Sequence, residues 1–462
     1  MLRRLLLILV PFLLPAAELR LGRAAVKITP PVGVPMGGSY ATRISEGLLD
    51  DLFAKALVFD LDGTRAAIVA CDLVALNRAV VDQTRRLIEK QTGLRPEQVL
   101  LSATHTHSGP LISGSVTRDD VYGGNLDISK QYLATLPSSI AESVRLASSA
   151  MAPAHVWAAK AQESSVSFNR RFWMKDGSVG WNPGKLNPNI VRPAGPIDSE
   201  VAVVYFDSPD STPLAAYVNH ALHVAVTSGR RFSADYPATI ARLLGDVKGP
   251  DLVTLFTIGA AGNVNHINVQ SKTPQSGPRE AARIGSILAA TVLKAFDRLE
   301  PLAGAPLQFR SQAVRLPLAE AAPGDLEAAR LTAALAGGPS PPRFLDTVRA
   351  FKALDVAERN GRPLETEVQV ITLGDQLAFV GLPGEIFVEL GLALKRASPF
   401  PHTIVAELAG ASIGYVPDRK AYAEGNYEPV SARCGPGSGE LLVETATRLL
   451  IDMHARSRPA LQ

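Results

Sequence analysis

Val99-Leu-Leu-Ser-Ala103 runs straight into Thr104-His-Thr-His-Ser-Gly-Pro110. The first five residues read as a short buried strand, and the polar stretch after them, closed by Gly-Pro, cannot prolong it; two histidines therefore stand on a loop at a strand end. Functional side chains gather on such loops in α/β architectures. Just upstream, residues 80–90 have helical apolar spacing, and Gly93 is placed to end that helix. Further upstream, residues 55–60 and 65–73 flank Asp62-Gly63, which is hairpin-turn chemistry. Downstream, strands are expected at 155–159, 200–206, 214–219, 252–258, 367–373 and 377–381. Helices are expected at 128–146, 236–244, 279–296, 325–334, 342–358, 385–395 and 441–454. Strands and helices interleave, yet hairpins also occur. The expected fold class is therefore α/β of the mixed α+β kind, with a mixed β-sheet core, flanking helices and a single large domain. Gly337-Gly-Pro-Ser-Pro-Pro342 reads as a surface loop between two helices.

Val58-Phe-Asp-Leu-Asp-Gly-Thr64 contains the string that opens haloacid-dehalogenase-like phosphatases. Those enzymes follow it with a loop and a helix, whereas here Arg65-Ala-Ala-Ile-Val-Ala-Cys-Asp-Leu73 starts another strand at once, so the string reads as a tight turn. Of 462 residues, 46% are hydrophobic and 20% charged, which describes a globular chain and not a disordered or multi-span membrane one. With 47 basic and 44 acidic residues the net charge is +3, so no basic nucleic-acid surface is indicated and no nucleic-acid partner is expected. Met1-Leu-Arg-Arg4, an apolar run at 5–14 and Pro15-Ala-Ala17 follow the order of a secretory signal, and the apolar part is too short to span a bilayer comfortably. Residues 1–17 are accordingly expected to be a signal peptide and 18–462 the exported domain, periplasmic or secreted. Pro15 makes the cleavage site imperfect, which keeps an uncleaved membrane anchor as the alternative. Cys71 and Cys434 permit at most one disulfide and are too few for a disulfide framework or a thiolate zinc site. Cys71, in an apolar strand-like run, also suits a buried thiol.

Five of the eight histidines fall into three stretches, His105-Thr-His107, His220-Ala-Leu-His223 and His266. The second stretch, like the first, follows a strand. Imidazole nitrogens suit zinc, and a catalytic zinc site normally takes three protein ligands, often two histidines and a carboxylate, with one position open. Glu385 in Val380-Gly-Leu-Pro-Gly-Glu385 fits the carboxylate: Pro and Gly end the preceding strand, and the glutamate is expected to open a helix. A helix-dipole carboxylate is the competing explanation for Glu385, and hydrogen-bonded structural histidines the competing one for either pair.

Taken together, these stretches resemble the neutral/alkaline (non-lysosomal) ceramidase family, zinc amidases that split the N-acyl bond of ceramide into sphingosine and fatty acid. The matching pieces run in order from Lys27-Ile-Thr-Pro-Pro31 and Thr104-His-Thr-His-Ser-Gly-Pro110, through Phe168-Asn-Arg170, Asn219-His-Ala-Leu-His223 and Phe232-Ser-Ala-Asp235, to Gly262-Asn-Val-Asn265, Pro383-Gly-Glu385 and Tyr415-Val-Pro417 with Tyr427-Glu428. The resemblance implies one zinc ion per chain, held at strand-end loops by His105, His223, Glu385 and Tyr415. It implies that His107, Arg170 and Tyr427 line the site as catalytic residues. Expected chemistry is attack of a zinc-activated water on the amide carbonyl, with His107 and Tyr427 as donors to the oxyanion, Arg170 orienting, and His107 also carrying the proton to the leaving amine.

Two departures stand out. The family has a serine in Gly-Asp-x-Ser-Pro-Asn where this chain has Asn265, which removes a serine nucleophile there. It also continues His-Thr-His-Ser-Gly-Pro with Gly-Gly, where this chain has Leu111-Ile112. The expected partner is a small-molecule or lipid N-acyl substrate, with transient membrane-surface contact if the substrate is ceramide itself. Alternatives are the same scaffold hydrolysing another N-acyl lipid, an acylated amine or an ester, and a catalytically degenerate exported binding protein. Fuller family members append an immunoglobulin-like C-terminal domain, which the residues after Glu428 are too few to form.

Overall fold

Asp62 and Gly63 both take left-handed backbone angles, φ 50° and 82°, so Phe53–Leu61 and Thr64–Cys71 turn back on each other in the hairpin that Asp-Gly specifies. This is seen in a computed structural model of the chain that describes residues 18–320 and 326–457. The expected signal at 1–17 lies outside the described residues, as does position 325 of one expected helix. Val99–Ala103 joins the hairpin in parallel, and the chain makes that crossover through the helix Arg78–Thr92. Asn77 caps the helix by accepting from the Val80 N–H, and Gly93 ends it at φ 75°. Arg20–Lys27 and Ala152–Pro153 complete a five-stranded mixed sheet.

A second five-stranded sheet holds, in order, Val253–Ile258, Pro213–His220, Glu200–Asp207, His155–Gln162 and Glu300–Leu302. A third, four-stranded sheet is formed by Leu307–Leu316, Leu364–Leu373, Leu377–Gly381 and His402–Ala406. Each contains one parallel pair among antiparallel ones, as the mixed α/β reading expects.

Side-chain alternation sorts the layers. Leu57, Phe59 and Leu61 face inward, packing with Phe206, Tyr217 and Phe379 from the other two sheets, while Ala54, Ala56 and Val58 face a second cluster. That second cluster takes the apolar sides of the helices Asp127–Ser149, Tyr236–Lys248 and Pro278–Ala295. A fully buried Leu or Phe of this kind contributes about 1.5–3 kcal/mol, so the inter-sheet layer supplies much of the stability that fixes the loop positions.

Two local results differ from the sequence reading. Glu385 opens no helix: it lies in the two-residue strand Glu385–Ile386, paired in parallel with Tyr415–Val416, and the helix begins at Val388. The Glu385 and Phe387 N–H groups donate to Gly414 and Val416 carbonyls, so helical geometry is unavailable until those bonds end. Cys71 and Cys434 are both buried with free thiols, in different core clusters. Among the described residues no helix is long and apolar enough to cross a membrane.

Candidate metal centre

Where Val99–Ala103 ends, the chain is held by backbone bonds from the Thr104 N–H to Cys71 and from the His105 N–H to Leu73. His105 itself sits at φ 73°, a left-handed conformation rare for a residue with a Cβ, and such strain persists only where the surroundings over-determine it. Two residues on, the His107 N–H donates to Val224 and the Thr106 hydroxyl to Ser233, which ties this loop to the segment carrying His223. Asp235 fixes that segment by accepting from the Val226 and Thr227 N–H groups. The Phe-Ser-Ala-Asp stretch is thus a frame for the histidines.

Three imidazoles converge. His105 Nδ1 lies 2.8 Å from the Val74 carbonyl, His107 Nδ1 2.7 Å from that of Gly38, and His223 Nδ1 2.9 Å from that of Ala261. A carbonyl only accepts, so each Nδ1 carries the hydrogen and each Nε2 presents a lone pair. Those lone pairs point at one another: His105 Nε2 is 3.1 Å from His223 Nε2 and 3.2 Å from His107 Nε2. Burial pushes the His223 imidazolium down to about 3, helped by Arg170 and His105, and burial likewise pushes His107 well below the ordinary value. Neutral acceptors that face one another in a buried space can hold a cation between them.

The oxygen side comes from the short parallel pair. Glu385 is opposite Tyr415 in its register, and Glu385 Oε2 lies 3.5 Å from both His105 Nε2 and His223 Nε2, buried and without a hydrogen-bond partner among the described residues. Arg170 donates from Nη2 to the Tyr415 hydroxyl at 3.0 Å and to the Gly262 carbonyl at 2.6 Å; its Nη1 is 3.2 Å from His223 Nε2, and its Nε donates to Glu428 at 2.9 Å. Burial opposes the Arg170 charge, but Tyr415 and Glu428 outweigh it and raise its pKa. Burial raises the Tyr415 and Tyr427 phenols well above their usual range, Arg170 opposing it and Glu385 adding to it, so both keep their protons. Convergent nitrogen lone pairs, an orphaned buried carboxylate oxygen and a phenol form a donor set that suits zinc. A His105–His107–His223 group able to hold a metal is what this geometry offers directly.

His107 therefore stands closer to the ligand cluster than the sequence reading placed it. Its Nε2, unprotonated while Nδ1 serves Gly38, is placed to accept a proton. Tyr427 lies in an aromatic wall, its ring 5.3 Å from Tyr415, 4.5 Å from Trp181 and 5.1 Å from Phe344. Phe344 belongs to a helical pair, Leu326–Leu335 and Phe344–Ala357, inserted between two paired strands of the third sheet. His220 and His266 are elsewhere, bonded to the carbonyls of Glu200 and Gln275.

Several contributors escaped sequence reasoning. Glu428, fully buried, bridges Arg170 and Arg171; Glu407, also fully buried, accepts the Ala261 and Ile386 N–H groups and so holds both the His223 carbonyl partner and the Glu385 strand. Gly38 is required because a Cβ there would sit 2.7 Å from the His107 ring, at φ 79°. Gly38 is the last residue of Pro35-Met-Gly-Gly38, a glycine pair in a turn-rich stretch, and that was the available signal. Asn265 donates to Asn182 and accepts from the Ile267 N–H. Leu111 packs against the small apolar cluster that contains Tyr122, Phe351 and Leu354.

Residues 19–178 match the family model for neutral/alkaline non-lysosomal ceramidase, N-terminal. A neutral ceramidase of Pseudomonas aeruginosa is 24% identical over 87% of this chain and 67% of its own length. The crystal structure of neutral ceramidase from Pseudomonas aeruginosa superposes with a TM-score of 0.74 at 23% identity, covering 95% of this chain and 75% of the other. A ceramidase complexed with C2 gives 0.72 at 20% identity, over 95% of this chain and 76% of the other.

Proposed function

We propose that the chain is a member of the neutral/alkaline non-lysosomal ceramidase family and, from that premise, an exported zinc-dependent amidohydrolase that cleaves a linear N-acyl amide of the ceramide type. Export rests on residues 1–17 as a signal and 18–462 as the catalytic unit. The observation that carries the reading is the meeting of three neutral Nε2 atoms with the unpartnered Glu385 Oε2. His105, His223, Glu385 and Tyr415 would hold one zinc ion. Bound there, the ion supplies a Lewis-acidic charge that polarises a carbonyl oxygen and makes water acidic enough to yield hydroxide near neutral pH.

The remaining steps belong to the chain. His107 Nε2 takes the proton released when water adds to the carbonyl carbon and returns it to the amine nitrogen as the C–N bond breaks, leaving a carboxylic acid and an amine, which settle as carboxylate and ammonium. The Arg170 guanidinium, pinned by Glu428, sets the Tyr415 hydroxyl and brings positive charge beside the developing oxyanion. Tyr427 keeps its proton and can donate it as a hydrogen bond. Tyr40, Trp181 and Phe344 offer apolar surface next to Tyr427, which favours a hydrocarbon-bearing acyl or sphingoid group over a small polar amide. The intact donor set supports catalysis over a binding-only role. Leu111, which packs against the same apolar cluster as Tyr40 and stands where the family has glycine, favours a different N-acyl lipid as the second reading.

The test is zinc content by inductively coupled plasma analysis, followed by hydrolysis of a panel containing N-acylsphingosine, N-acyl amino acids and esters, with Glu385→Ala as the blank. About one equivalent of zinc and amide turnover that vanishes in the variant are expected; less than about a tenth of an equivalent after loading overturns the proposal.

A further inference from the structure

A cavity of about 920 Å3 opens outside the metal centre, lined by Arg78, Arg315, Arg359, Arg362 and Arg433. Its floor is made by loops that also build the centre: Asn77 follows Val74, the partner of His105, and Ser412 and Ile413 precede Tyr415. Arg433 Nη1 reaches the edge of Gly414, next to Tyr415.

The cavity also holds three carboxylates, and they do not offset the arginines. Asp355 is buried and already committed, accepting from Arg433 Nε at 2.7 Å, Arg118 Nη2 at 3.4 Å and Ser115 Oγ at 3.1 Å. Glu365 meets Arg315 at 3.2 Å with both side chains more than 70% exposed, where an ion pair is weak. Glu358, exposed at the rim, forms no ion pair among the described residues. Arg359 has no hydrogen-bond or ion-pair partner for its guanidinium among the described residues, and Arg362 only the Arg359 carbonyl at 3.2 Å. Burial first, then Arg433 and Arg362 with a smaller push from Arg78, depresses the Arg359 pKa, and Asp355 opposes them only in part. Planar guanidinium forks around one space match the oxygens of a tetrahedral or planar oxyanion.

We propose that this cavity is a binding site for a phosphate-type oxyanion, held by Arg359 and Arg362 with Arg433 behind them, and distinct from the metal centre. The anion is either free phosphate or the phosphodiester of a lipid headgroup. The site does not depend on the hydrolase reading.

Isothermal titration of inorganic phosphate into the full chain at low salt, and co-sedimentation with phosphatidylglycerol or phosphatidylcholine vesicles, test this. The comparison variant is Arg359→Gln with Arg362→Gln; Arg242→Gln, an exposed arginine paired with Asp246, is the control. Phosphate binding weakened about tenfold or more in the double variant and unchanged in the control supports the site, since each factor of ten is about 1.4 kcal/mol. Selective sedimentation with phosphatidylglycerol vesicles, lost in the double variant, identifies a headgroup as the source; phosphate binding without sedimentation identifies the free anion. Phosphate binding equal in parent and double variant belongs to another site and overturns the proposal. So does saturation of neither probe, with phosphate taken to about 10 mM, beyond which an affinity carries little meaning.

Discussion

Arg170 and Arg171 lie buried against Glu428, with every nitrogen of the Arg170 guanidinium in polar contact, whereas Arg359 and Arg362 border an open cavity with no carboxylate on either. The difference is dictated by solvent. A guanidinium taken out of water must find carboxylate and carbonyl partners or it destabilises the fold by several kcal/mol. One left at a rim keeps its water and stays available to an incoming anion. The first pair is fixed equipment beside the candidate metal centre, Arg170 setting Tyr415 and facing His223 while Arg171 ties Glu428 to Glu424. The second is a surface whose use depends on what arrives.

The largest effect falls on the fixed side. His223→Ala removes a nitrogen from the metal cluster, and zinc content is expected to drop below about a tenth of an equivalent, with amide hydrolysis reduced on the order of 10³-fold or more, the scale of losing ion-centred and oxyanion stabilisation together. Activity and zinc that both survive would remove the metal centre from that side of the comparison. Next is Glu428→Ala. It leaves two buried guanidiniums without their shared carboxylate and should cost about 3–5 kcal/mol in urea unfolding, as breaking a buried pair does. Glu428→Gln, which keeps volume and one acceptor, should cost less. A loss under about 1 kcal/mol for the alanine variant would show that burial is not what demands the pairing.

The same physics decides how much of this could be read from sequence. The hairpin at Asp62-Gly63, the helix between Asn77 and Gly93 and the strand ending at Ala103 were legible because turn, cap and periodicity signals are local. The histidine loops were legible because residue type and strand-end position coincide. Glu428 and Glu407 were not. A buried carboxylate is expensive unless paired, and its partners are distant in the chain: Arg170 and Arg171 for one, the N–H groups of Ala261 and Ile386 for the other. Nor does local pattern say that the backbone pairing of Glu385 with Tyr415 delays the helix to Val388. The arginine cavity was equally hidden, because its members come from four separate segments.

Asp72 occupies the ground between the two arginine groups, since it is a buried acid with hydrogen bonds but no ion pair. It accepts from the Phe53 N–H and the Thr104 hydroxyl, while Lys55 and Asp50 act on it only from a distance. Burial, partly offset by Lys55, raises it to about 6. A folded-state value above the unfolded one means that the protonated form carries the stability: it is complete below about pH 4 and is lost as pH rises through about 6. About two pKa units correspond to about 3 kcal/mol. Asp72→Asn, whose amide can replace both bonds, should flatten the urea midpoint between pH 4 and 7; a variant that follows the parent's decline would place the titration elsewhere.

The smallest effect belongs to Arg359→Gln. Surface substitutions away from special features change stability by no more than about 0.5 kcal/mol, and here the sign should be favourable, because the substitution relieves repulsion from Arg362, Arg433 and Arg78. That repulsion acts through solvent and must fade with salt: the Debye length falls from about 10 Å at 0.1 M to about 3 Å at 1 M. The variant should therefore be slightly more stable than the parent in urea at low salt and equal to it near 1 M sodium chloride. Glu428→Ala should show no such convergence, since its guanidiniums are shielded from mobile ions. If Arg359→Gln instead destabilised the chain equally at both salt concentrations, Arg359 would be a structural residue like Arg170, and the two groups would differ only in exposure.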